Sequence, residues 1–152
     1  MKTTLLALFF LLLGCTIIQP PNTPSGKPEI VFPAGIQKQK IRDLLVQAFS
    51  NKSFEVKRAD EYSILLGRRS NSLAGVIVFG SGYDGVPEMR VNISTVDTVE
   101  GVRAIFALSY VTNPGIAFER VTDVSNWRDG QQLQQELWEL KANLTRSREV
   151  AP

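Results

Sequence analysis

Gly80, Gly82 and Gly85 in GSGYDG spell G-x-G-x-x-G directly after the apolar run Val76–Phe79. At that spacing glycines let a backbone turn close on a pyrophosphate at a helix N-terminus. The chemistry requires a helix to open there, inside a strand–helix–strand unit. Val86, Pro87 and a strand-like alternation follow instead, and too little chain remains for a doubly wound sheet. The glycines therefore read as a flexible turn.

Carboxylates pair as Asp60 with Glu61, Asp84 with Glu88, and Glu136 with Glu139. Acid–base work needs two carboxyls flanking a cleft with their pKa values pushed apart. Nothing in these spacings makes a cleft, and charged side chains are mostly solvated. The chain has no histidine, which removes the commonest general base and metal ligand. A serine nucleophile would then need lysine or another base, and no such grouping stands out. The single cysteine, Cys15, cannot form an internal disulfide. No catalytic residue, metal set or cofactor-binding constellation is expected, and the chain is not read as an enzyme.

Lys38, Lys40 and Arg42 gather near the start of a helix, where cations oppose its dipole. With Arg68-Arg69 they read as solvated charge. The 17 basic and 15 acidic side chains leave a net charge of +2. Nucleic-acid binding usually needs a concentrated basic face, so no nucleic-acid partner is expected.

The elements that must position any site follow from periodicity. The 152 residues favour one domain. Ile41, Leu44, Leu45, Ala48 and Phe49 form one apolar stripe, predicting a helix over 36–50. Phe54 and Val56, then Tyr62, Ile64 and Leu66, alternate as one broken strand or two short ones. Residues 72–80 read weakly as strand. Met89, Val91 and Ile93 alternate, as do Val102, Ala104, Phe106, Leu108 and Tyr110. In TNPG, Pro114 and Gly115 suit a type II turn, and 116–124 reads as a further strand. Leu133, Leu137, Leu140 and Leu144 make the seam of a helix over 129–144. The expected fold is α+β in two layers. It has an antiparallel meander of about four strands, with an N-terminal and a C-terminal helix on one face.

The first residues are of another kind. Lys2 precedes the uninterrupted apolar run Leu5–Leu13, then Gly14 and Cys15. This is the layout of an export signal. The run falls short of the roughly 20 residues that span a bilayer. Leu12-Leu13-Gly14-Cys15 resembles the lipobox of bacterial lipoproteins: leucine, a variable residue, a small residue and cysteine. The resemblance covers only these first residues. It implies a lipid on the Cys15 thiol, cleavage between Gly14 and Cys15, and acylation of the new N-terminus. Two or more acyl chains would give a stable anchor. Thr16, where an aspartate would favour the inner membrane, implies the outer membrane with the domain in the periplasm.

The resulting organisation is a signal peptide over 1–14, a Pro-rich tether over 15–35, one α+β domain over 36–146 and a tail over 147–152. At about 3.1 Å per residue such a tether would hold the domain tens of ångströms off the bilayer. Glu29-Ile30-Val31-Phe32 is more apolar than a tether needs, and reads as an added strand. Trp138 points away from the leucine seam, among Gln131, Gln134 and Gln135. An exposed tryptophan on a polar face is a common interface anchor, so Trp138 and Gln134 are the candidate partner contact. The expected function is that of a lipid-anchored envelope protein with a binding or assembly domain and an envelope protein partner. A carrier of a lipid or other apolar ligand is the alternative, and an envelope hydrolase a third.

Overall fold

A computed structural model describes residues 21–69 and 86–149, with side chains to residue 142. The elements in chain order are β1 (Glu29–Pro33), α1 (Lys38–Ser50), β2 (Glu55–Ala59), β3 (Ser63–Arg69), β4 (Glu88–Thr98), β5 (Gly101–Thr112), β6 (Arg120–Asp123) and α2 (Arg128–Glu149). The fold is α+β, and every strand pairing is antiparallel.

Alternation decides which face is buried. Opposed residues in antiparallel strands share a face. Ile64, Ile93 and Phe106 stand in one row across β3, β4 and β5, and Leu66, Val91 and Leu108 in the next. All six are buried, and they join one cluster with Ile41, Leu45 and Phe49 of α1 and Leu137 of α2. Burying each such side chain contributes about 1.5–3 kcal/mol.

The sheet runs β1-β5-β4-β3-β2, with β6 also on β5. Among the described residues it has six strands, not about four. Of the one broken strand or two short ones expected, two form, β2 and β3, and Asp60 turns the chain between them, its carboxylate accepting from the N–H groups of Tyr62 (3.0 Å) and Ser63 (2.8 Å). The EIVF segment adds β1. Residues 72–80 and the glycines Gly80, Gly82 and Gly85 lie outside the described residues, as do Gly14 and Cys15.

Strand β5 is long enough to serve two partners on one edge. β1 pairs with its first half and β6 with its last four residues. The seam between them is sealed without a strand. Phe106 N–H donates to the Pro28 carbonyl at 2.9 Å. Leu108 N–H donates to Ser125 Oγ at 2.9 Å, and Val124 N–H donates to the Leu108 carbonyl at 2.9 Å. Ser125 is itself buried, so its hydroxyl supplies the hydrogen bonding that a missing strand residue would.

Residues 21–28, within the stretch read as a tether, are held by local hydrogen bonds. Thr23 Oγ1 donates to the Lys27 carbonyl at 2.5 Å, and Ser25 N–H donates to Glu29 Oε2 at 3.2 Å. Short polar side chains thus supply the bonds that prolines cannot.

The strand expected over 116–124 is only Arg120–Asp123. Asn113 (φ 54°) and Gly115 (φ 80°) turn the chain left-handed. Ile116 N–H closes on the Asn113 carbonyl, giving the turn that Pro114-Gly115 predicts. Residues to Glu119 then form a loop.

The start of α1 has no side-chain cap and no acid in its first turn, so burial of its apolar stripe holds it. Its end is better built. Phe54 N–H reaches the Phe49 carbonyl and Ser53 N–H that of Ser50, with Ser53 at φ 64°. These are the two bonds of a Schellman motif. The apolar contact that accompanies it is Phe49 edge-on to Phe54, with ring centroids 5.3 Å apart.

Candidate binding cleft

The Schellman turn aims its aromatics at the sheet. Phe49 stacks on Phe106 at 6.0 Å, and Phe54 carries the Arg68 guanidinium 4.6 Å above its ring. Arg68 follows Ile64 and Leu66 in the β3 alternation, so it stands on the buried face. Between these groups and the first turns of α2 lies a cleft of about 440 Å³. Its apolar floor is Met89 and Val91 of β4 and Leu108 of β5, with Leu133 of α2 opposite. A second groove of about 430 Å³ shares Phe49 and Leu133 and runs on between α1 and α2, past Leu45, Leu137 and Leu140.

The rim is charged, and its charged groups are hydrogen-bonded or ion-paired. Lys52, just past α1, forms an ion pair with Glu136 of α2 across the mouth. Arg68 donates to the Lys52 carbonyl at 2.9 Å. The Tyr110 hydroxyl donates to Asp129 Oδ2 at 3.4 Å. The arrangement can hold an apolar group and check the charge that borders it. Among the described residues no group of three or more His, Cys, Asp or Glu could hold a metal. No helix among them is long and apolar enough to cross a membrane.

The opposite face of the sheet carries an ion network. Glu88 is buried and meets Lys57 Nζ at 3.1 Å and Arg90 Nε at 2.9 Å. Arg90 continues to both oxygens of Glu119, at 2.8 and 3.2 Å. Gly67 makes room for the network: a Cβ there would lie 2.7 Å from Lys57 Cε and would overlap the Glu88 carboxylate. Glu119 also accepts Gly115 N–H at 2.7 Å, tying the β5–β6 loop to the sheet.

The Arg90 bonds, then that of Gly115, hold the Glu119 carboxyl below its ordinary pKa. A lowered folded pKa gives stability that is present above the unfolded value and lost as pH falls through the folded one. The loss should begin near the ordinary glutamate pKa of about 4.3. A Glu119→Gln variant should be less stable than the parent at neutral pH and lose less on going to pH 3. Urea midpoints at the two pH values check this. Parallel acid profiles would show that Glu119 is not a linked group.

The structure disperses most residues singled out from sequence. Asp60 holds a turn, Glu88 a buried network and Glu136 the cleft rim. Arg42 donates to the Glu61 carbonyl at 2.8 Å. Lys38 lies 5.0 Å from the Tyr62 ring centre and 3.6 Å from Asp97. Trp138 is 57% exposed, on the outer side of α2. Gln134 is not on that surface. It is 2% exposed, accepting Glu29 N–H at 2.7 Å and donating to the Glu29 carbonyl at 3.0 Å. It belongs to the fold's own hydrogen bonding rather than to a contact surface. The cleft was missed, although the Ile64-Leu66-Arg68 alternation already put a cation on the core side.

Comparison with known proteins finds no matching family, no matching curated protein and no matching solved structure.

Proposed function

We propose that this chain is a lipid-anchored bacterial envelope protein. Cys15 carries the lipid, the domain stands in the periplasm at the outer membrane, and it binds rather than catalyses. In this reading α1 and α2 together cover one face of the sheet, and the cleft between them receives an apolar segment of an envelope protein partner. The observation that carries it is the cleft: an apolar floor under a polar rim crossed by the Lys52–Glu136 ion pair. Such a rim gives orientation and selectivity, while the floor gives affinity. The lipobox resemblance supports the anchor.

The test is photocrosslinking in intact envelopes from Gln132, an exposed rim residue. A specific adduct should form, and Leu133→Trp should abolish it by filling the cleft while the chain stays folded. An adduct that persists in the folded Leu133→Trp chain would remove the cleft from the reading. Cys15→Ser should release the chain from membrane. If that variant still sediments with membrane, lipidation is not the anchor.

A carrier of an apolar ligand is the second reading. The extension of the cleft between the helices favours it, because it suits a chain-like molecule better than a single side chain. Native mass spectrometry of gently extracted protein would show the added mass.

A further inference from the structure

We propose that the β5–β6 loop, residues 113–119, is a lipid-contacting element that seats the domain on the bilayer with Phe118 and Ile116 at the surface. The inference rests on the Cys15 anchor proposed above. Phe118 is 80% exposed, more than any other aromatic side chain among the described residues, and Ile116 and Val121 are also exposed.

These side chains are held out, not merely left out. Glu119 N–H donates to the Ile116 carbonyl at 3.0 Å. The Glu119 carboxylate binds Arg90 and Gly115 N–H. The loop is thereby tied at Gly115 and Glu119, on either side of Ile116 and Phe118, with Phe118 pointing to solvent.

The charges suit a headgroup region. The Glu119 carboxylate enters it already paired. Arg120 beside it is exposed, and an arginine there is attracted to anionic lipid. Asp123, at the far end of β6, is paired with Lys27 at 3.7 Å. An apolar tip flanked by a cation is the composition of an interfacial anchor.

The length of chain ahead of the fold argues for lipid over protein. From Cys15 to Pro21 the chain spans at most about 20 Å when fully extended. The ion pair of Lys27 with Asp123 brings that N-terminal segment to the end of β6. Val121 lies two residues from Asp123, about 7 Å along the strand. The bilayer is therefore within reach of the loop, and the apolar loop selects which end of the sheet meets it.

Acylation of Cys15 leaves the mature chain without a free thiol, so an introduced cysteine labels uniquely. Nitroxides are placed by Phe118→Cys and, as control, Val99→Cys in the fully exposed β4–β5 turn at the other end of β5. The full lipidated chain is reconstituted in phosphatidylethanolamine–phosphatidylglycerol vesicles. The label at 118 should lose its collisions with a water-soluble nickel chelate and gain collisions with oxygen, while the label at 99 keeps its aqueous signature. A label at 118 as aqueous as that at 99 overturns the proposal. So does shielding at 118 that occurs in native envelopes but not in pure lipid, which would assign the loop to a protein partner. A chain that fails to float with vesicles and carries an unmodified Cys15 by mass overturns the anchor reading, and this inference with it.

Discussion

Gly130→Ala should destabilise the protein by about 3 kcal/mol, at the upper end of what overpacking costs. The expectation runs against intrinsic propensity, since alanine in a helix is favoured over glycine by about 1 kcal/mol. Gly130 lies in the first turn of α2. A Cβ there would lie 2.6 Å from the Ser125 carbonyl carbon and overlap its oxygen. Ser125 cannot yield cheaply, because its hydroxyl and the neighbouring Val124 N–H seal the edge of β5. Either α2 tilts away and opens the cleft, or the seal at Leu108 breaks. A lowered urea midpoint, with increased hydrogen exchange at the Leu108 amide, is the expected result. An equal or higher midpoint would mean that α2 does not approach Ser125 this closely.

Gln134→Leu should cost about 2–6 kcal/mol, although it adds an apolar residue to the interior. Its carboxamide satisfies both the N–H and the carbonyl of Glu29, and all three groups are buried. Leucine preserves the volume and leaves two backbone groups unpaired, at about 1–3 kcal/mol each. Gln134→Glu separates hydrogen bonding from packing. Its carboxylate still accepts Glu29 N–H but opposes the Glu29 carbonyl, and protonation restores a donor. That variant should be weakened at neutral pH and partly recover on acidification. Hydrogen exchange across β1 reads both variants. A leucine variant within error of the parent would show that the clamp adds nothing to stability.

Much of the fold was legible because one face of the sheet is buried and the other is not. Met89, Val91 and Ile93 alternate with polar residues, and from Val102 to Tyr110 every second residue is buried while Arg103, Ile105, Ala107 and Ser109 between them are only partly so, because each strand has one dry side. The stripe of α1 was readable for the same reason. Gln134 misled because a helical wheel ranks side chains by polarity. A buried glutamine is stable only through partners more than a hundred residues away in sequence. The loop at 113–119 misled because Ile116 and Phe118 have the spacing of a strand, while the ion pair with Arg90 that fixes the loop is a tertiary contact. The cleft arises from the meeting of Phe49, Phe54, Arg68 and Leu133, and spacing within any one element does not encode it. The Cys15 reading comes from the lipobox resemblance alone and lies outside the described residues.

One consequence of the Gln134 clamp is mechanical. Whatever pulls on the chain ahead of Pro21 loads β1 at its first residue, Glu29. A strand held only by its neighbour would unzip from that end, one bond at a time. Here Glu29 is fastened to a helix from the far end of the chain, and its side chain ties back to Ser25. Tension that passes the Pro28–Phe106 bond is therefore shared between sheet and helix before the pairings of β1 itself are exposed to it. The joint resembles a cable gland, a fitting that keeps a tug on the lead from reaching the connections inside.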